Sequence, residues 1–248
     1  SPDLFDFNPL ILYHNTYREG AYSVPLSITT TIVPFRGIKL YADYLFYDAE
    51  IGDEEGKSSN PGAAAYQAGI TALSTPFFAS GPGRFRLDAE LSYIDPWVYG
   101  KFHDLRKFSS RIIYVESFVG RFWVDYPLGF YLGPDCIDFH TELSYGIPGQ
   151  WEASLEWQLT GKGEIDLYGW GDDSDYMHAG EPGYPLSGAP TGVVEWTNRF
   201  GVHGYFSILS GLTAKVSCEL EVVNNRFNVS GDNRIFYMVG ISGTWKIY

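Results

Sequence analysis

The residues of this chain best equipped for chemistry lie in three places. His140 and Ser144 share one face of an alternating stretch, and Glu152 and Glu156 share a face of the next. The segment around 164–191 gathers Tyr168, Trp170, Asp172, Asp173, Asp175, Tyr176 and His178. A histidine beside a serine suggests nucleophilic catalysis, and a carboxylate pair suggests glycoside hydrolysis. Yet four residues of extended strand hold such partners about 13 Å apart, too far for a general base to reach its nucleophile. The glutamates meet the same obstacle unless cross-strand partners intervene. Neither G-x-S-x-G nor an H-x-S spacing occurs on a strand, so no catalytic residue is assigned and no enzyme is expected. The third set suits sugar: aromatic faces stack on pyranose rings and carboxylates accept from their hydroxyls. Those seven residues are the candidate polysaccharide-binding set. Trp97 and Tyr99 are of the same residue types, but Trp97 is read as an interface aromatic.

Metal and redox chemistry find little support. Cys136 and Cys218 are too few for a disulfide framework, C-x-x-C is absent, and zinc needs more ligands than two distant cysteines offer. By alternation Cys136 shares the polar face with Asp138 and His140, whereas Cys218 shares the apolar one. The run D-A-E-I-G-D-E-E-G-K-S-S-N-P (Asp48 to Pro61) misses the spacing of a calcium-binding loop and reads as a solvated acidic loop. No metal and no cofactor is expected.

Strands must position these groups. In Gln150 to Gly161, Trp151, Ala153, Leu155, Trp157 and Leu159 alternate with Glu152, Ser154, Glu156, Gln158 and Thr160, the period of two that an extended chain imposes. Similar alternation marks Tyr22–Ile32, Ile38–Asp48, Arg84–Tyr93, Ile137–Ile147 and Leu212–Val222, and further strands are expected over Asp6–Tyr17, Tyr66–Thr75, Val193–Ile208 and Arg234–Tyr248. Two shorter ones are expected within Arg111–Asp125. Such strands are longer than the usual 5 to 6 residues, and about 9 to 11 residues of tilted strand cross a bilayer. The pattern predicts an all-β chain: a single antiparallel transmembrane β-barrel of about 12 strands over 1–248, with long loops near 48–61, 100–110 and 164–191. The polar face then lines the lumen with Arg86, Asp88, Glu90, Asp138, His140, Glu142, Glu152, Glu156, Glu195, Arg199, His203, Lys215, Glu219 and Glu221.

Composition agrees. A chain with 45% apolar and 17% aromatic residues has ample material for a lipid-facing surface and its aromatic belts. No run of eighteen apolar residues offers a transmembrane helix, and a barrel needs none. A net charge of -13 disfavours nucleic acid and anionic membrane surfaces as partners. Ser1 follows no signal-peptide pattern and reads as a mature start or a cut within a longer chain.

Four segments in order, N-P-L-I-L-Y-H-N (Asn8 to Asn15), L-Y-A-D-Y-L-F-Y-D (Leu40 to Asp48), Y-I-D-P-W-V-Y-G (Tyr93 to Gly100) and P-L-G-F-Y-L-G-P-D (Pro127 to Asp135), resemble the capsule-assembly Wzi family of outer-membrane barrels. The resemblance covers about the first half of the chain. It implies an eighteen-stranded type of barrel, of which this chain would be the C-terminal part or a smaller relative. It also implies a place in the bacterial outer membrane, and partners among membrane lipid, the barrel-assembly machinery and surface polysaccharide held by the loops. Two other readings stay open: a porin-like passive or selective pore, and a soluble β-sandwich binding module.

Overall fold

The computed structural model describes residues 26–48, 63–73, 83–98, 109–116, 120–127, 129–166, 188–209 and 211–245. It is all-β. Eleven strands occur among these residues: β1 (Leu26–Phe35), β2 (Ile38–Asp48), β3 (Ala63–Leu73), β4 (Arg84–Ile94), β5 (Ser109–Glu116), β6 (Gly120–Pro127), β7 (Cys136–Ile147), β8 (Trp151–Lys162), β9 (Glu195–Leu209), β10 (Leu212–Asn224) and β11 (Arg234–Trp245). Nine form one antiparallel sheet in the order β1-β2-β3-β4-β7-β8-β9-β10-β11, and β5 pairs only with β6. The alternation thus located strands to within a few residues, and β2 spans the expected Ile38–Asp48.

The expected count of about twelve strands in one barrel divides differently. Asp6–Tyr17 lies outside the described residues. The two short strands within Arg111–Asp125 do form, as β5 and β6, but as a separate hairpin, because β4 pairs directly with β7 from Arg84↔Gly146 to Ile94↔Cys136. Among the described residues β1 and β11 are the sheet's edges and do not meet. Since all eight pairings are antiparallel, these two edges point the same way.

Register gives the sheet two chemically opposed faces. One lateral row joins Leu87, Leu143, Leu155, Val202, Cys218 and Val239. Much of that face is exposed, including Phe85, Leu91, Phe200, Phe206, Val216, Leu220, Tyr237 and Ile241. Aromatic pairs occupy both of its ends. Tyr66 stacks on Tyr93 at 4.7 Å near one, while Phe85 and Trp151 flank Tyr145 at 4.5 and 5.6 Å near the other. The opposite face is polar.

The connections are asymmetric as well. Arg36–Gly37 and Pro148–Gln150 are tight turns at one end of the sheet, where 74–83 and 210–211 also link strands, while 49–62, 95–135, 163–194 and 225–233 connect strands at the other. At that long-connection end the polar face is covered. Trp97 and Val98 bury themselves with Ala63, Ala65, Ile94, Cys136 and Ile165, and Leu45, Phe130 and Leu132 pack against them. Trp97 is 0% exposed. It is therefore a core residue and not an interface aromatic: Asp95 and Pro96 turn the chain back over the sheet, and the Trp97 N–H donates to Asp95 Oδ1 at 3.1 Å. The two cysteines divide as their parity predicts; both are free, Cys136 buried and Cys218 exposed.

Candidate functional site

All fourteen residues expected to line a lumen lie on the polar face. Cross-strand rows run Asp88–Glu142–Glu156–Gly201–Glu219 and Glu90–His140–Gln158–Arg199–Glu221, with Ser144–Ser154–His203 below and Asp138–Thr160 above. Alternation makes the face, and register then brings charges from different strands together.

Glu156 is the busiest of them. Its Oε1 meets His140 Nε2 at 3.3 Å and Arg199 NH2 at 3.3 Å, and its Oε2 meets His203 Nε2 at 3.2 Å. Three nitrogens on one carboxylate make a polar node across β7, β8 and β9, in which Arg199 is the permanently charged partner. Ser154 lies directly opposite His203 in the register, the neighbour that spacing along a single strand could not supply. No hydrogen bond joins the two among the described residues. Beside the node Glu142, Glu152, Ser154, Glu156, His203 and Lys215 line an open groove of about 320 Å³. Arg86 pairs with Asp88 on its own strand, and Thr71 Oγ1 donates to Asp88 Oδ1 at 2.8 Å. Tyr41 donates to Glu90 by passing over Gly69, where a Cβ would fall 2.3 Å from the tyrosine ring. Glu195 plays a different part at the strand end, accepting the Phe227 N–H at 2.5 Å.

A second constellation lies at the long-connection end, and the sequence reading missed it. Asp135, wholly buried and with φ of 56°, accepts the Thr191 N–H at 2.8 Å, the Thr191 hydroxyl at 2.6 Å and the Ile165 N–H at 3.0 Å. Its own carbonyl accepts the Gly163 N–H at 2.8 Å. Position 163 must be glycine here, because a Cβ would stand 2.0 Å from Asp135 Oδ2. Lys162 Nζ donates to the carbonyls of Pro134 and of Ile165, the latter at 2.6 Å. One carboxylate thereby ties together the segments after β8, before β9 and before β7, satisfying donors that would otherwise be buried unpaired. Asp95 is the neighbouring buried acid. Burial pushes its carboxyl up to about 6, against the pull of N–H groups from Trp97 and Gly188. The available signal was the G-P-D at 133–135, whose residue types suit a turn; its distant donors were not readable.

Between the polar face and the 129–132 segment opens a groove of about 530 Å³. Asp43, Gln67, Glu90, Ser92 and Asp138 form its floor, and Phe130 and Tyr131 stand over it. Asp138 is held by Thr160 Oγ1 at 2.6 Å and Gln158 Nε2 at 2.9 Å, and Gln158 also donates to the Tyr131 hydroxyl at 2.6 Å.

The seven residues expected to bind polysaccharide, Tyr168, Trp170, Asp172, Asp173, Asp175, Tyr176 and His178, lie outside the described residues. Among the described residues no cluster of His, Cys, Asp or Glu could hold a metal ion, and no helix is long and apolar enough to cross a membrane. The chain matches no protein-family model, no curated protein and no solved structure.

Proposed function

We propose that the chain is an outer-membrane β-barrel, or the C-terminal part of a larger one, that binds or anchors surface polysaccharide at its long-connection end in the manner of the Wzi-like proteins it resembles. The observation that carries this reading is the continuous exposed apolar face opposite a charged one. Water would leave that face without a partner, whereas a hydrocarbon core about 25 to 30 Å thick would cover it. The nine sheet strands are 10 to 15 residues long, enough to cross at the usual tilt. Aromatic pairs at both ends fit interfacial belts, and the tight turns Arg36–Gly37 and Pro148–Gln150 opposite the long connections 95–135 and 163–194 fit the periplasmic and outer ends of a bacterial barrel.

Closure belongs to the same proposal. Nine antiparallel strands leave both edges pointing one way, so an even-numbered barrel needs an odd number of further strands. Asp6–Tyr17 carries the pattern to supply one. A larger barrel would take more from a longer chain.

The test is to refold the chain into detergent micelles and phospholipid vesicles and compare unheated with heated samples on a denaturing gel. A heat-modifiable band that floats with vesicles supports the barrel; a monodisperse β protein that ignores lipid supports the soluble sandwich instead. Glycan binding by the inserted protein supports the anchoring role. Steady conductance in planar bilayers without glycan binding supports the porin-like reading.

A further inference from the structure

We infer that the groove under Tyr131 is a saccharide subsite selective for neutral or amino-bearing sugar units over acidic, uronate-type ones. The inference rests on the polysaccharide reading above and gives that function a place on the polar face, built from described residues other than the seven expected to bind polysaccharide.

Four observations converge on it. The groove, at about 530 Å³, falls in the range of small-molecule sites and draws its floor from β2, β3, β4 and β7. Ser92 lines it with a hydroxyl that finds no hydrogen-bond partner although the residue is only 1% exposed. A buried hydroxyl left unsatisfied is costly, and a ligand reaching it would restore the missing bond. Both bonds to Asp138 land on Oδ1, so that side chain is fixed in place with Oδ2 still able to accept from a ligand. Tyr131 supplies the aromatic surface: it stands over these groups 61% exposed, its hydroxyl held by Gln158.

Charge then selects among sugars. Asp43, Glu90 and Asp138 all line the groove, and among the described residues no lysine or arginine does. Three carboxylates in one concavity welcome hydroxyl or ammonium donors and repel a uronate. Two of them are already oriented, Asp138 by Gln158 and Thr160 and Glu90 by Tyr41, so little ordering remains for a ligand to impose.

The experiment uses the full chain in detergent micelles, titrated separately with a chitosan oligosaccharide, a maltooligosaccharide and oligogalacturonate, with binding followed by saturation-transfer NMR. We expect one or both of the first two to bind, and oligogalacturonate to bind at least tenfold more weakly. Tyr131→Ala and Ser92→Ala should each weaken binding tenfold or more, while Glu219→Gln, on β10 away from the groove, should not. Ser92→Ala should also leave the Tm unchanged or raised, which separates a ligand partner from a structural residue. Oligogalacturonate binding as tight as chitosan overturns the inference. So does wild-type affinity in both Tyr131→Ala and Ser92→Ala; if Trp170→Ala alone abolishes binding, the polysaccharide reading survives and its site moves to the 164–191 segment. An inserted wild-type protein that binds none of the three removes the subsite and the polysaccharide reading together, leaving the barrel.

Discussion

Leu155→Lys separates a lipid-facing sheet from a water-facing one. Leu155 lies mid-strand on β8, 56% exposed, between Leu143 and Val202 in its row. The twelve residues of β8 rise about 3.3 Å each, near 40 Å along the strand and about 30 Å of height at a 40° tilt. Leu155 then sits well inside an apolar band about 25 Å tall. A lysine at that depth costs about 2 to 4 kcal/mol, a thirty- to nearly thousandfold change in the folding equilibrium, whereas a surface substitution in water stays within about 0.5 kcal/mol. The measurement is equilibrium unfolding in denaturant, with the wild type and Leu155→Lys folded into phospholipid vesicles. A difference below about 1 kcal/mol in lipid would falsify the assignment of the apolar face to the bilayer. Equal losses for Leu155→Lys and for Glu152→Lys, at an exposed position of the polar face on the same strand, would also refute it, since the cost would then come from the strand and not from its surroundings.

Other parts of the structure answer to simpler tests. Asp135→Ala strands three donors from Ile165 and Thr191 and should cost about 3 kcal/mol or more; Gly163→Ala should cost a similar amount, and the double variant less than the sum, all read by denaturant unfolding. Asp95, raised from 3.8 to about 6 by burial, binds its proton more tightly folded than unfolded. Its contribution is present below about pH 4 and is lost as pH rises through 6, roughly 3 kcal/mol in all, and Asp95→Asn should remove this slope from a Tm series taken between pH 4 and 8. Glu156→Gln weakens three partly exposed contacts and should cost about 1 to 2 kcal/mol, with the loss shrinking at high salt. In vesicles Cys218 should react with a lipid-soluble maleimide but not with a membrane-impermeant one, and buried Cys136 with neither until the protein unfolds.

What could be read from the sequence was whatever depends on a residue's immediate neighbours. The alternation from Trp151 to Thr160 fixes a strand and sorts its side chains between two faces, so β8 and the fourteen polar residues fell where the pattern placed them. Pairing depends on residues far along the chain and was less legible. β5 and β6 were recognisable as strands, but nothing local says that β4 pairs past them to β7. Trp97 shows the limit for a single residue: a tryptophan after a strand end suits an interface belt and a buried cap equally well, and only the fold of 95–98 over the sheet distinguishes them.

The same limit explains why both sites that the sequence concealed lie at one end of the sheet. A residue's role there is set by donors and acceptors tens of positions away. Asp135 meets Ile165 and Thr191, and Asp138 meets Gln158 and Thr160, only after β7, β8 and β9 have aligned. Alternation cannot encode such meetings, because it assigns a face and not a height. Height matters because Ser92 and Asp138, paired across β4 and β7, stand one row from Ile94 and Cys136, which are already sealed beneath Trp97 and Val98. Apolar cover thus stops where the row of Ser92, Asp138 and Gln67 begins, and the 129–132 segment arches over that boundary. A buried cap on one side and an open polar wall on the other leave a recess with oriented acceptors, whose carboxylates must find their donors in water or in a ligand.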